Sequence, residues 1–349
     1  MTATVKQGLT VLLAAALLAP LPVAAQPYTT ILLYHRVGEE RYPSTSITVE
    51  AFRQQMAWLA DHDYRVIPLA ELVSALEEGH APPPHSVVIT FDDTYRSIYE
   101  RAAPILAERG YPYSLFVYTK AMENGYSDFM TWDQLRELAQ RPGVEIGNHS
   151  HAHAHWIGRG GKTLASDTLR QDVATARAQI VEHLGVNPTY YAFPYGEYTP
   201  EAQAIVSEAG YRVQLTQDRG SVGAETLLHQ LPRNALVGSR GTVDTLREVV
   251  NEPPLPWQSR QPATGRLPGK IMGEVAVRLS HPKRYWAGEV NLFVSELGRL
   301  DSHFDPTTGW VRAEVTTPLS RPFNRITVSA RQRTNNRWAL TSWMVMTGK

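Results

Sequence analysis

The 349-residue chain contains no cysteine. That excludes disulfides, thiolate metal sites and attachment to a membrane through a lipidated cysteine, so stability must come from packed cores. Its net charge is zero, with 34 basic and 34 acidic side chains. Beyond residue 25 no apolar run is long enough to cross a bilayer, and no internal repeat suggests a solenoid.

What is present begins with MTATVKQGLTVLLAAALLAPLPVAAQ, one lysine ahead of an apolar run that closes on Val23-Ala24-Ala25. This is the layout of a secretory signal peptide, residues 1–25, cut after Ala25. Pro20 and Pro22 end the apolar run well short of the ~20 residues a membrane span needs. The mature chain is therefore expected to carry no span and to cross the inner membrane to a periplasmic or extracellular location. The charges are also segregated. Residues 26–265 hold 20 basic and 28 acidic side chains, and residues 266–349 hold 13 and 6. An acidic major part argues against nucleic acid as a partner.

From Thr29 to about Val250, short β-branched runs alternate with stretches of helical period. The runs lie at 31–34, 87–91, 113–117, 144–146, 190–193 and 211–215; the helical stretches at 49–61, 69–78, 97–109, 131–140 and 166–184. Strict alternation implies a parallel sheet, and this many units predict an α/β fold in which the sheet curls into a (β/α) barrel over residues 26–250. The proline- and glycine-rich segment 251–265 reads as a linker. From 266 to 349 the period becomes two, which predicts a small all-β sandwich. Trp286, Trp310, Trp338 and Trp343 fall there and are expected to be mostly core.

In such barrels the working side chains gather where strands end at their carboxyl termini. Polar residues stand at those places: His35 after the first run, Asp92-Asp93 after Val87-Val88-Ile89-Thr90-Phe91, His149-Ser150-His151-Ala152-His153-Ala154-His155 after Val144, and Pro194-Tyr195-Gly196 after Tyr190. Each has an ordinary reading alone. A carboxylate pair caps helices, a histidine run is a solvated loop, and Pro-Tyr-Gly is a turn. Those readings do not explain why all four fall at strand ends. One carboxylate with two imidazoles is a common donor set for a divalent transition metal, which acidifies water and polarises a carbonyl. Asp93, His149 and a second histidine would supply it, leaving Asp92 as general base. In an extended segment His151, His153 and His155 share a face with His149; in a coiled loop only His153 does.

Thr90-Phe91-Asp92-Asp93, the spacing of His149-Ser150 to His153, and Phe193-Pro194-Tyr195-Gly196 together resemble the polysaccharide deacetylases of carbohydrate esterase family 4, the NodB-homology domain. The resemblance covers roughly residues 29–240. It implies a distorted (β/α) barrel, a divalent metal (Zn2+, with Co2+, Ni2+ or Fe2+ as alternatives) and removal of N-acetyl groups from an amino-sugar polymer. Residue by residue, Asp92 resembles the catalytic base, Asp93, His149 and His153 the metal ligands with His155 as alternative, and the Tyr195 backbone N–H an oxyanion donor. Pro194, Tyr195 and Trp132 are candidate substrate contacts. Ile31 to Val37 and Val49 to Val66 look like the branch acting on poly-β-1,6-N-acetylglucosamine of biofilms, which would add an exopolysaccharide export machinery as partner. The strands from Arg325 onward look like bacterial immunoglobulin-like domains.

This sequence also departs from the family. Ala192 stands where the family's arginine precedes the Pro-Tyr pair, so the group orienting Asp92 must come from elsewhere, with Arg233 the candidate. No Asp-x-x-Asp-Trp follows Tyr211 and no late Leu-x-His supplies a general acid, a role for which His229 and His35 are the candidates. Two other readings remain: a deacetylase of peptidoglycan or chitin-like chains, and a polysaccharide-binding protein impaired in catalysis.

Overall fold

The computed structural model describes residues 26–156 and 164–347. The signal-peptide reading of residues 1–25 lies outside the described residues.

Eight parallel strands form the first sheet: β1 (Thr29–Tyr34), β2 (Arg65–Val66), β3 (Ser86–Asp92), β4 (Tyr113–Val117), β5 (Val144–Asn148), β6 (Tyr190–Ala192), β7 (Val213–Leu215) and β8 (Asn234–Ala235). Their order is β8-β1-β3-β4-β5-β6-β7, with β2 beside the first residues of β3. Every residue of β1, β3 and β4 is buried. Such unbroken burial is why these strands read as continuous β-branched runs rather than alternating ones. The sheet curls, and segment 231–235 closes its seam: Leu231 bridges Leu215 on one edge, while Asn234 and Ala235 pair with Leu32 and Leu33 on the other.

Helices cover the outside. In α1 (Val49–Asp61), Thr48 caps the N-terminus and Phe52, Met56 and Leu59 turn a buried stripe toward the sheet. Burial of each such side chain is worth about 1.5–3 kcal/mol. Thr131 and Gln134 make a capping box at the start of α5 (Trp132–Ala139). The longest helix, α6 (Ser166–Leu184), ends on Gly185 in the left-handed conformation. It leads back into β6. The remaining helices are α2 (Leu69–Glu77), α3 (Ala103–Ala107, after a π turn), α4 (Thr119–Glu123), α7 (Pro200–Glu208) and α8 (Val243–Val250).

Two further sheets follow. One has four strands, in the order β9 (Trp257–Gln261), β11 (Gly273–Leu279), β15 (Trp310–Val315), β14 (His303–Phe304). The other has five: β10 (Gly265–Leu267), β17 (Trp338–Thr347), β16 (Phe323–Gln332), β12 (Tyr285–Val294), β13 (Gly298–Arg299). Val275, Val277 and Val311 from the first meet Leu292, Ile326, Val328 and Trp343 from the second in one core, so the sheets form a sandwich. β10 runs parallel to β17, which makes the second sheet mixed. Trp257–Gln261, expected in a linker, is instead a strand paired with β11. Of the four tryptophans only Trp343 is fully buried; Trp310 is half-buried, and Trp286 and Trp338 are exposed. That corrects the expectation of a mostly core role.

The sandwich lies directly against the barrel. Thr341 bridges Gly220, Leu340 bridges Pro254, and the Arg219 amide donates to Ser342 Oγ at 2.6 Å.

Candidate active site

Asp92 is the last residue of β3, and Asp93 and Thr94 follow it with φ of 71° and 57°. This left-handed pair swings the chain off the sheet, so adjacent carboxylates take different directions. Asp92 stays fully buried and meets Arg233 through both oxygens, at 2.7 and 2.8 Å. The guanidinium comes from the closing segment and is itself held by the Thr216 carbonyl at 2.9 Å. Burial raises the Asp92 pKa, but Arg233 first and His149 second outweigh it, and the carboxyl is held below its ordinary range. The sequence places these partners far apart; the seam brings them together.

Asp93 faces the histidines. Its Oδ1 lies 3.0 Å from His153 Nε2 and 3.4 Å from His149 Nε2, and those two nitrogens are 3.3 Å apart. His149, just past β5, offers its Nδ1 to the Ala192 carbonyl at 2.8 Å, which leaves Nε2 as the electron-pair donor. Burial pushes its pKa down to about 4 against the pull of Asp92 and Asp93, so near neutrality it is the uncharged imidazole a metal requires. His153 goes the other way: burial lowers it, yet Asp93 raises it above the ordinary value. The difference follows from burial, which outweighs both carboxylates at His149, and from the direct contact of His153 Nε2 with Asp93 Oδ1 at 3.0 Å. Asp93 is raised by burial and lowered more strongly by His153 and His149, ending well below the usual carboxylate range.

These three donor atoms all lie within 4.8 Å of one another. Asp93 Oδ1 is buried without a hydrogen bond of acceptable geometry. A buried anionic oxygen and two imidazole nitrogens aimed at each other's lone pairs fit a divalent cation better than they fit one another. A possible Asp-His-His metal site is therefore present.

A second layer fixes the loop that carries the histidines. Asp172 of α6 accepts from the His151 and Ala152 amides at 3.1 and 2.6 Å. Ser150 Oγ accepts from the His153 amide at 2.9 Å, and Asn148 Oδ1 from the Ser150 amide at 2.7 Å. Ser150 and His153 also have positive φ, 74° and 48°. The loop is thus coiled, which is why His153 and not His151 or His155 joins His149. His151 Nδ1 lies 3.0 Å from Thr119 Oγ1, and His155 Nδ1 lies 2.7 Å from Glu197 Oε1.

The other expected residues separate clearly. Pro194 and Tyr195 form a turn in which Tyr195 has φ of 58°, its exposed ring against His153 and His155. His35, after β1, exerts its field on both Asp92 and Asp93. His229 sits in a 3-10 turn, and burial alone lowers its pKa; the structure does not bring it to the carboxylates. Trp132 stacks on His183 at the end of α6, with centroids 4.1 Å apart, and is not brought to the cluster either. Sequence reasoning missed Asp172 and Glu197. The only signal for Glu197 was its place directly after Pro-Tyr-Gly, and Asp172 gave none.

A polysaccharide deacetylase family model matches residues 79–214. The chain is 26% identical over 203 residues to a putative polysaccharide deacetylase of Bacillus subtilis, covering 58% of this chain and 69% of the relative. It is 25% identical over 269 residues to the poly-beta-1,6-N-acetyl-D-glucosamine N-deacetylase of Escherichia coli, covering 65% of this chain and 40% of that one. The chain thus spans well under half of that longer relative. Among solved structures, a Streptococcus pyogenes deacetylase in complex with acetate superposes with a TM-score of 0.58 at 22% identity, over 65% of this chain and 99% of the other. This last likeness concerns the fold.

Proposed function

Because the chain carries a polysaccharide deacetylase domain, matched over residues 79–214, we propose that it is a metal-dependent hydrolase removing N-acetyl groups from poly-β-1,6-N-acetylglucosamine. The observation that carries the reading is the meeting of Asp93, His149 and His153 beside an Asp92 gripped by Arg233. The polymer is favoured by the name of the Escherichia coli relative. Export across the inner membrane, on the strength of residues 1–25, and a division into barrel and sandwich belong to the same proposal. Among the described residues no helix is long and apolar enough to cross a membrane.

Asp93, His149 and His153 would hold the ion, which when bound supplies an acidified water and a polarised acetamide carbonyl. Asp92, kept ionised by Arg233, accepts the proton of the attacking water. The Tyr195 backbone N–H donates to the oxygen that gains charge as the carbonyl becomes tetrahedral. His35, next after the Tyr34–Phe91 pair that aligns β1 with β3, returns a proton to the departing amine. Acetate and a free amine remain. Arg233 supports this reading over the binding-only one, since it fills the place left by Ala192.

Acetate release from the polymer by protein loaded with Zn2+, Co2+ or Ni2+ is the test. Asp92→Asn is expected to lose roughly 10²–10⁴ in rate while keeping its metal, and His149→Ala to lose metal and rate together. Release from peptidoglycan or chitin oligomers but not from this polymer would move the substrate; release from none would end the hydrolase reading.

A further inference from the structure

Rings line up from the proposed metal site toward the sandwich. Tyr195 lies 4.5 Å from His153 between centroids, and His155 stacks on Tyr195 at 3.8 Å with planes within 10°. Next comes Phe323, the first residue of β16, 6.4 Å from His155 and within 25° of its plane. On the other flank, Tyr118 lies 5.0 Å from His153 and Phe129 a further 5.6 Å away. Tyr195 is 41% exposed, and Phe323 is partly exposed above a floor of Met344 and Met346. No catalytic role explains an aromatic side chain of the sandwich at the mouth of the barrel.

We propose that Phe323 is a saccharide subsite supplied by the sandwich, stacking a sugar ring a few units along the polymer from the residue being deacetylated. The claim rests on the deacetylase reading. The partly exposed Phe323 ring suits the flat C–H face of β-linked N-acetylglucosamine, and a sugar stacked on it adds binding without touching the reaction. The floor of two methionines lets the ring settle against its ligand. A subsite so placed is reached only by chains longer than the catalytic centre alone accommodates. It therefore makes the enzyme prefer long polymer.

The experiment compares an N-acetylglucosamine disaccharide and octasaccharide as substrates for metal-loaded wild type, Phe323→Leu and Phe323→Tyr. Leucine keeps the packing on the methionines and removes the flat face; tyrosine keeps both. The expected result is a KM for the octasaccharide raised roughly threefold to tenfold in Phe323→Leu, with kcat and the disaccharide unchanged and Phe323→Tyr like wild type. Equal losses at both lengths, with a lowered Tm, would assign Phe323 to folding and overturn the proposal, as would no change at either length. Wild type that releases no acetate from either oligomer would sink the deacetylase reading instead; the subsite is then decided by whether Phe323→Leu weakens calorimetric binding of the octasaccharide.

Discussion

Arg233 is 141 positions from Asp92, and nothing near it in the sequence marks it as a partner. It became a candidate only because Ala192 leaves the base without its usual arginine. Both groups are fully buried, so Arg233→Met should leave an uncompensated carboxylate and cost about 3–5 kcal/mol. Removing the guanidinium also removes the largest influence lowering the Asp92 pKa, so the acid limb of the rate profile should move to higher pH. A rate–pH profile and a denaturant titration check both effects. Adding Asp92→Asn to Arg233→Met should restore much of the stability and none of the rate, which separates charge pairing from packing. The Asp92, Asp93 and His149 positions were legible because each ends a strand. The roles proposed for them, as base and ligands, rest on the directions that the left-handed turn at Asp93 gives the two carboxylates.

The loop after β5 shows what a single element can hide. Four histidines alternate from 149 to 155, and periodicity alone left three of them equal as second ligand. The choice is made by backbone hydrogen bonds to Asp172, Ser150 and Asn148, two of which are polar residues with no sequence signature of their own. Asp172 is the clearest case: on α6 it reads as an ordinary helix carboxylate. Its replacement by alanine leaves two amides without acceptors, so the loop should loosen and metal affinity fall by about 10–100-fold, with the sheet intact. Competition with a chelator, alongside circular dichroism, reads the two separately. Unchanged affinity would deny the clamp. Within β5 itself, Gly147 lets Phe116 approach; a Cβ there would stand 2.4 Å from the Phe116 ring. Gly147→Ala should cost about 1–3 kcal/mol through overpacking, visible as a lowered Tm.

Across the whole molecule, the alternation of strand and helix and the switch to period two foretold the barrel and the sandwich. The linker was misread for a physical reason. Trp257–Gln261 fully buries none of its side chains, and its one apolar residue, Trp257, packs partly buried on the sandwich core, so as an edge strand it is defined by backbone pairing to β11 and shows no apolar alternation. Near that junction Arg219 joins Glu248 and Glu252 at 2.6 and 2.7 Å. Burial raises the Glu252 pKa, Arg219 opposes, Glu248 adds, and the result is about 7. The folded protein thus holds this proton to a higher pH than the unfolded chain, whose glutamate titrates near 4.5. Its contribution to stability is complete below that value and is lost as pH rises through 7. Glu252→Gln should flatten this decline, and denaturant midpoints measured between pH 5 and 8 would reveal it.

The closing segment of the sheet has one more consequence. Leu231 and Asn234 fasten the two edges together, and Arg233 stands between them as the counter-charge of Asp92. Mechanical closure and chemical readiness therefore share one latch. Parting of those edges would draw the guanidinium away from Asp92 and leave a buried carboxylate without its partner.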